Sequence, residues 1–165
     1  MRFLILFFVF SVSSYSYSQN TIKLKTGDFI ISNKYELLNI SFKSDEIFNG
    51  KYYRYLSFQE IPNFIKREKM KKLGINFLQY IPDKTYYVSI SKNINIQSLT
   101  AFGVNAIVKI PLEHKFDYSI KNQDFPDWAT NEDMIKVVVK FYDDVDFESA
   151  LQLLPNKYNI FYSNK

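Results

Sequence analysis

Cysteine is absent from the 165 residues, so neither a disulfide framework nor a lipid-modified cysteine anchor is available. Histidine occurs once, as His114 in a polar stretch, and it reads as an ordinary surface residue. Nucleophilic hydrolysis needs a base positioned beside its nucleophile, and that pattern is missing. The four glycines, at 27, 50, 74 and 103, all fall at turn or helix-end positions. No Gly-x-Ser-x-Gly elbow, phosphate-cradling glycine loop or His-Glu-x-x-His pair occurs. Asp143, Asp144, Asp146 and Glu148 lack the glycine-containing loop of a calcium site, and acids ahead of a helix already have a dipole reason to be there. The expectation is a chain with no catalytic residue, no metal site and no cofactor.

Charge of one sign is also scarce. Twenty-one basic residues face 17 acidic ones, a formal net of +4, too little for a nucleic-acid footprint. Lys66, Arg67, Lys69, Lys71 and Lys72 form the densest basic run and read as a solvated helix face, with an anionic partner as the other reading. The longest apolar run, Phe3 to Phe10, has eight residues, whereas a bilayer core needs roughly 20. Preceded by Arg2 and followed by Ser16-Tyr17-Ser18, it predicts an export leader over residues 1–18 and no membrane span once that is cut. The mature chain would be periplasmic or extracellular. Removing 18 of 165 residues leaves 147, enough for one modest domain.

What the chain has in quantity is aromatic surface: 16 Phe, 13 Tyr and one Trp. These can build a core without covalent staples. Residues 19–51 are a lead-in, in which Thr21 to Lys25 alternates as a strand, Thr26-Gly27-Asp28 turns, and Phe29 to Ile31 returns. Residues 33–48 follow neither helical nor strand period, and Asn39-Ile40-Ser41 matches a glycosylation sequon by chance.

The organised stretch is 52–112, with the order strand, helix, strand, strand, helix, strand. Tyr52 to Phe58 is an aromatic and apolar run. Pro62 then opens a helix to Leu73, stopped by Gly74. Ile75 to Tyr80 and Thr85 to Ile90 form a hairpin, for which Pro82-Asp83 favours a type I turn. Asn95 caps a short helix carrying Ile96, Leu99 and Phe102, and Gly103 ends it. Val104 to Leu112 closes the unit with Val104, Ala106, Val108 and Ile110 on one face and Ile107 on the other.

Residues 113–134 are polar and read as a linker. From 135 the pattern starts again: Ile135, Val137, Val139 and Phe141 alternate as a strand. Asp146 caps a helix with Phe147, Ala150, Leu151 and Leu154 on one face, and Lys157 to Tyr162 alternates. This is half of a second unit, so residues 135–165 read as a partial, truncated βαβ piece.

The predicted fold class is α+β: a ferredoxin-like βαββαβ antiparallel sheet with two helices on one face, followed by the partial βαβ unit. Leu56, Phe58, Val88, Ile90 and the Val104-to-Ile110 set would face Ile65, Met70, Leu73, Leu99 and Phe102. Strand parity puts Tyr53, Tyr55, Tyr87 and Ile107 on the opposite face, which has no helix of its own. That face is either covered by the second unit or kept for a partner.

Tyr52 to Pro62, followed by Leu73-Gly74-Ile75 and Leu78 to Pro82, resembles the N-terminal propeptide of secreted subtilisin-like serine proteases of the Bacteroidetes type. Thr26-Gly27-Asp28-Phe29 and Phe125-Pro126-Asp127-Trp128-Ala129 fit the same pattern, so the likeness covers most of the mature chain. It implies a ferredoxin-like domain that templates folding of a protease domain, inhibits it through a tail laid in the cleft, and is then cut away. The implied partner is a subtilisin-like protease domain, in cis or in trans, and the implied contact face is Tyr53, Tyr55, Tyr87 and Ile107. The Asp, His and Ser motifs of the protease itself are missing. Pro111 to Asp117 or a later segment would be the tail. The competing expectation is a stand-alone exported module that binds a protein or a glycan through the same face.

Overall fold

The computed structural model describes residues 20–24, 27–31 and 42–155. The proposed leader, the sequon and the Lys157-to-Tyr162 strand lie outside the described residues. The chain is a mixed α+β structure with a four-stranded antiparallel sheet and few helices. A hairpin of β1 (Asn20–Leu24) and β2 (Gly27–Ile31) precedes β3 (Lys51–Phe58), α1 (Phe64–Lys72), β4 (Ile75–Ile81), β5 (Thr85–Ser91) and β6 (Val104–Lys109). The sheet order is β4-β5-β3-β6. Central β3 is buried along almost its whole length, as a strand flanked by neighbours on both edges and covered on both faces must be.

Local chemistry places the ends of these elements. Asn63 caps α1, its side chain accepting from the Lys66 backbone N–H at 2.9 Å. The helix thus begins at Phe64, two residues later than Pro62 suggested. Gly74 follows at φ 95°, and a Cβ there would lie 2.7 Å from Ser91 Cβ on the neighbouring strand. The β4–β5 turn is not type I. Asp83 and Lys84 both have positive φ, 64° and 59°, the mirror-image geometry whose twist suits a hairpin. Asn95 caps the second crossover by accepting from Gln97 N, but Ile96–Phe102 forms a 3-10 helix, not an α-helix.

Both crossovers lie on one face of the sheet. There Leu56, Phe58, Met70, Ile75, Val88, Ile90, Leu99, Val104 and Ile107 form one core, with Phe58, Phe77 and Tyr86 meeting edge-on or stacked. Of α1 only Met70 is buried; Ile65 and Leu73, assigned to the core, are 64% and 43% exposed. The helix rests on the sheet by a single side chain because Lys66 and Lys69 interrupt any apolar stripe.

Strand β6 does not keep the alternation expected of it. Phe58 pairs with Val104 but Ser57 pairs with Ala106, so Asn105 is an extra residue in a β-bulge. One inserted residue reverses every later side chain. Ile107 therefore packs in the helix-side core opposite Leu56, while Ala106, Val108 and Ile110 join Tyr55 on the other face.

The lead-in is tied to the same sheet by charge. Arg54 is 4% exposed, lies over the rings of Phe42 and Tyr52 at 5.2 and 5.4 Å, and donates to Glu46, which also accepts from Lys109. Burial alone would raise the Glu46 carboxyl, but Lys109 and Arg54 outweigh it and hold it below its ordinary value.

After β6 the supposed linker is built of short pieces. A 3-10 turn, Leu112–Lys115, leads to α2 (Tyr118–Asn122), capped by Asp117. A second 3-10 turn, Asp127–Ala129, precedes a two-residue hairpin, β7 (Thr130–Asn131) with β8 (Met134–Ile135). The strand expected over 135–142 ends at Ile135; residues 136–142 have no strand partner, turn or bend. Val137, Val138 and Val139 are 56%, 94% and 58% exposed, so alternation there marks no buried face. The helix α3 (Phe147–Leu151) follows its Asp146 cap but is five residues long, and Ala150 is its buried residue.

Candidate functional site

The face of the sheet away from α1 carries Tyr53 and Tyr55 from β3 and Tyr87 from β5, because side chains two apart on a strand, and paired residues across strands, share a face. Ile81, Ala106, Val108 and Ile110 complete its apolar floor. Of the four residues the sequence assigned to this face, the structure brings Tyr53, Tyr55 and Tyr87 together and places Ile107 behind the sheet. Of the two expectations for this face, covered by later residues or kept for a partner, the structure shows the first: Tyr55 is fully buried and Tyr53 and Tyr87 are half-buried beneath the chain's own later segments.

Two segments do the covering. The 3-10 turn after β6 brings His114 over Tyr55, whose hydroxyl lies 3.3 Å from His114 Nδ1 and 2.9 Å from the Tyr87 hydroxyl. Residues 141–145 lay Tyr142 on Tyr53, with ring centroids 5.2 Å apart and planes 11° from parallel. Tyr142 also meets Tyr87 at 5.5 Å. Two residues on, Asp144 accepts from the Lys51 ammonium at 2.9 Å, from the Tyr53 hydroxyl at 3.3 Å and from the buried Ser89 hydroxyl. Lys51 also donates to the Asp144 backbone carbonyl at 3.2 Å. One stacked ring and one carboxylate thus fasten this strap across the sheet.

The electrostatics follow from that closure. Burial pushes the phenols of Tyr53, Tyr55 and Tyr142 well above their ordinary range, helped at Tyr53 by Asp144 and at the other two by the Tyr87 hydroxyl. Burial pushes the His114 imidazole down; Glu113 opposes this and Lys121 adds to it. Burial alone would raise Asp144, yet the bonds from Ser89, Lys51 and Tyr53 hold it below the usual carboxylate range. The site is therefore a packed cluster of neutral phenols with one anion at its rim.

Sequence reasoning missed Tyr142, Asp144, Lys51, Ser89 and His114. Asp144 had been accounted for as a helix-end acid, but that work falls to Asp146, and Asp144 reaches back to β3 and β5. His114, read as a surface residue, is half-buried against Tyr55. No local signal marks a residue whose partners lie 55 to 93 positions earlier. Among the described residues no three His, Cys, Asp or Glu side chains gather to hold a metal ion, and no helix is long and apolar enough to cross a membrane.

No curated protein matches the chain, and no solved structure does. A family model described as a domain of unknown function matches residues 23–111, from within β1 to just past β6. The match takes in the whole four-stranded sheet and α1 but stops before His114, Tyr142 and Asp144, so the segments that cover the tyrosine face lie beyond it. On that match, which takes in 89 of 165 residues, the chain belongs to the family DUF8729.

Proposed function

We propose that this chain is an exported, non-catalytic domain of the propeptide type that binds a subtilisin-like serine protease domain, assisting its folding and blocking its cleft. The sheet is read within this proposal as ferredoxin-like, on the strength of its two crossovers on one face and the placing of β3 and β5 between β4 and β6. The observation that carries the functional reading is the run Val137 to Lys140. It is exposed, unpaired with any strand among the described residues, and held against the sheet at its far end by Tyr142 and Asp144. A protease cleft binds peptide by pairing with its backbone, so it requires a segment with free main-chain groups on a rigid support. In this arrangement the tyrosine face acts through the strap it anchors, and the partner meets the strap.

The test is inhibition and refolding of a secreted subtilisin-like protease encoded in the same genome. Val138 is 94% exposed, so Val138→Pro removes a backbone donor without disturbing a core. Inhibition is expected to weaken at least tenfold, about the worth of one or two backbone bonds. Equal inhibition by the variant would discard this segment as the contact, and a wild-type chain that neither inhibits nor aids refolding would discard the function. The alternative, a stand-alone module for a protein or glycan, draws on Trp128, which is 77% exposed and offers a flat amphipathic ring.

A further inference from the structure

Helix α1 presents its unburied side as an unusual combination of charge and apolar bulk. Met70 is its only buried residue. At 3.6 residues per turn, Phe64, Ile65, Glu68 and Lys72 point away from Met70, flanked by Lys69 and Lys71. Phe64 is 68% exposed and Ile65 64%, and Ile61, just before the helix, is 55% exposed. Three large apolar side chains are thus exposed at or just before the first turn of the helix. Its basic residues, Lys66, Arg67, Lys69, Lys71 and Lys72, face one acid, Glu68, for a net of four positive charges. The whole chain has a formal net of +4, so the rest of the molecule is balanced and the excess sits on these nine residues.

We infer that α1 is a peripheral anchor for an anionic lipid bilayer, with Phe64, Ile65 and Ile61 entering the headgroup boundary and the lysines meeting lipid phosphates. Apolar bulk at the first turn and lysines in the last give α1 one end that can enter the headgroup boundary and another that can meet lipid phosphates, the two attractions that add in interfacial binding. Lysine stems can run along the acyl boundary while their ammonium groups stay among headgroups. A protein partner fits less well, because lysine is depleted from protein interfaces and four of these five cations are lysine. This goes beyond binding a protease: it would hold the domain at a membrane surface without crossing it, and either property can fail without the other.

The experiment places a reporter at the tip. Any chain that keeps the apolar run Phe3 to Phe10 would be drawn to lipid by that run, so bulk sedimentation is not enough and the readout must be local. In the full chain, Trp128→Phe removes the one tryptophan and Phe64→Trp puts a single one at the tip. With vesicles of phosphatidylcholine and phosphatidylglycerol, its emission should shift to the blue and be quenched by brominated acyl chains, and high salt should weaken both. Adding Lys69→Glu, Lys71→Glu and Lys72→Glu should lower apparent affinity at least about a hundredfold, since each lysine near an anionic surface is worth about a factor of five. Glu68→Lys should raise it by a similar factor per charge. Circular dichroism checks that these exposed substitutions leave the fold intact. An indole that stays solvent-exposed, equal quenching by pure phosphatidylcholine, or insensitivity to the lysine changes would each overturn the inference.

Discussion

Replacing Asp144 with alanine removes the only charged fastening between the strap and the sheet among the described residues, and the structure sets the size of the effect. Two of its side-chain bonds come from neutral hydroxyls, Tyr53 and Ser89, at about 1 kcal/mol each. The third comes from the Lys51 ammonium, whose side chain is 31% exposed, so screening reduces that pair to about 1 kcal/mol. The expected loss is about 3 kcal/mol, or about 6–12 °C in Tm if strap and sheet unfold together. If the strap opens by itself, the near-ultraviolet circular dichroism of the stacked tyrosines collapses at a temperature where the far-ultraviolet signal is intact. Asp144→Asn keeps one carbonyl acceptor and should lose about half as much.

The pH dependence has a definite sign. Because the carboxyl is held below its ordinary value of 3.8 in the folded chain, the unfolded chain binds more protons in mild acid. The contribution of Asp144 is therefore complete above that value and is lost as pH falls through the folded one. Asp144→Asn should flatten the acid limb of the stability profile and leave neutral pH as the place where the two proteins differ most. An alanine variant with unchanged Tm and an unchanged tyrosine signal would refute the claim that this carboxylate holds the face closed.

Two further substitutions probe the sheet. Ile107→Ala should cost about 2–5 kcal/mol in chemical denaturation, since the side chain is 3% exposed within the helix-side core; a surface-like cost below about 0.5 kcal/mol would refute its burial. Gly74→Ala should destabilise by about 2 kcal/mol or more, because its φ of 95° is strained for any side chain and the added Cβ meets Ser91 Cβ; a neutral result would mean that the α1–β4 junction relaxes freely.

The caps and the glycine stops were legible in the residues themselves. Asn95 and Asp146, the two caps read from the sequence, each accept from a backbone N–H in the first turn, a bond made within two or three residues that needs no tertiary context; Asn63 and Asp117 cap in the same way but were passed over, the one behind Pro62 and the other in a stretch read as linker. The faces of β3 and β5 were legible too, since an uninterrupted strand keeps its period of two. Tertiary structure alone decided the rest. The Asn105 bulge reversed β6 although its alternation looked the most regular, because a bulge is a relation between two strands and not a property of one. The covering of Tyr53, Tyr55 and Tyr87 by Tyr142, His114 and Asp144 was invisible for the same reason: stacking and hydrogen bonds over such separations are selected by the space the folded sheet leaves, which no local pattern records.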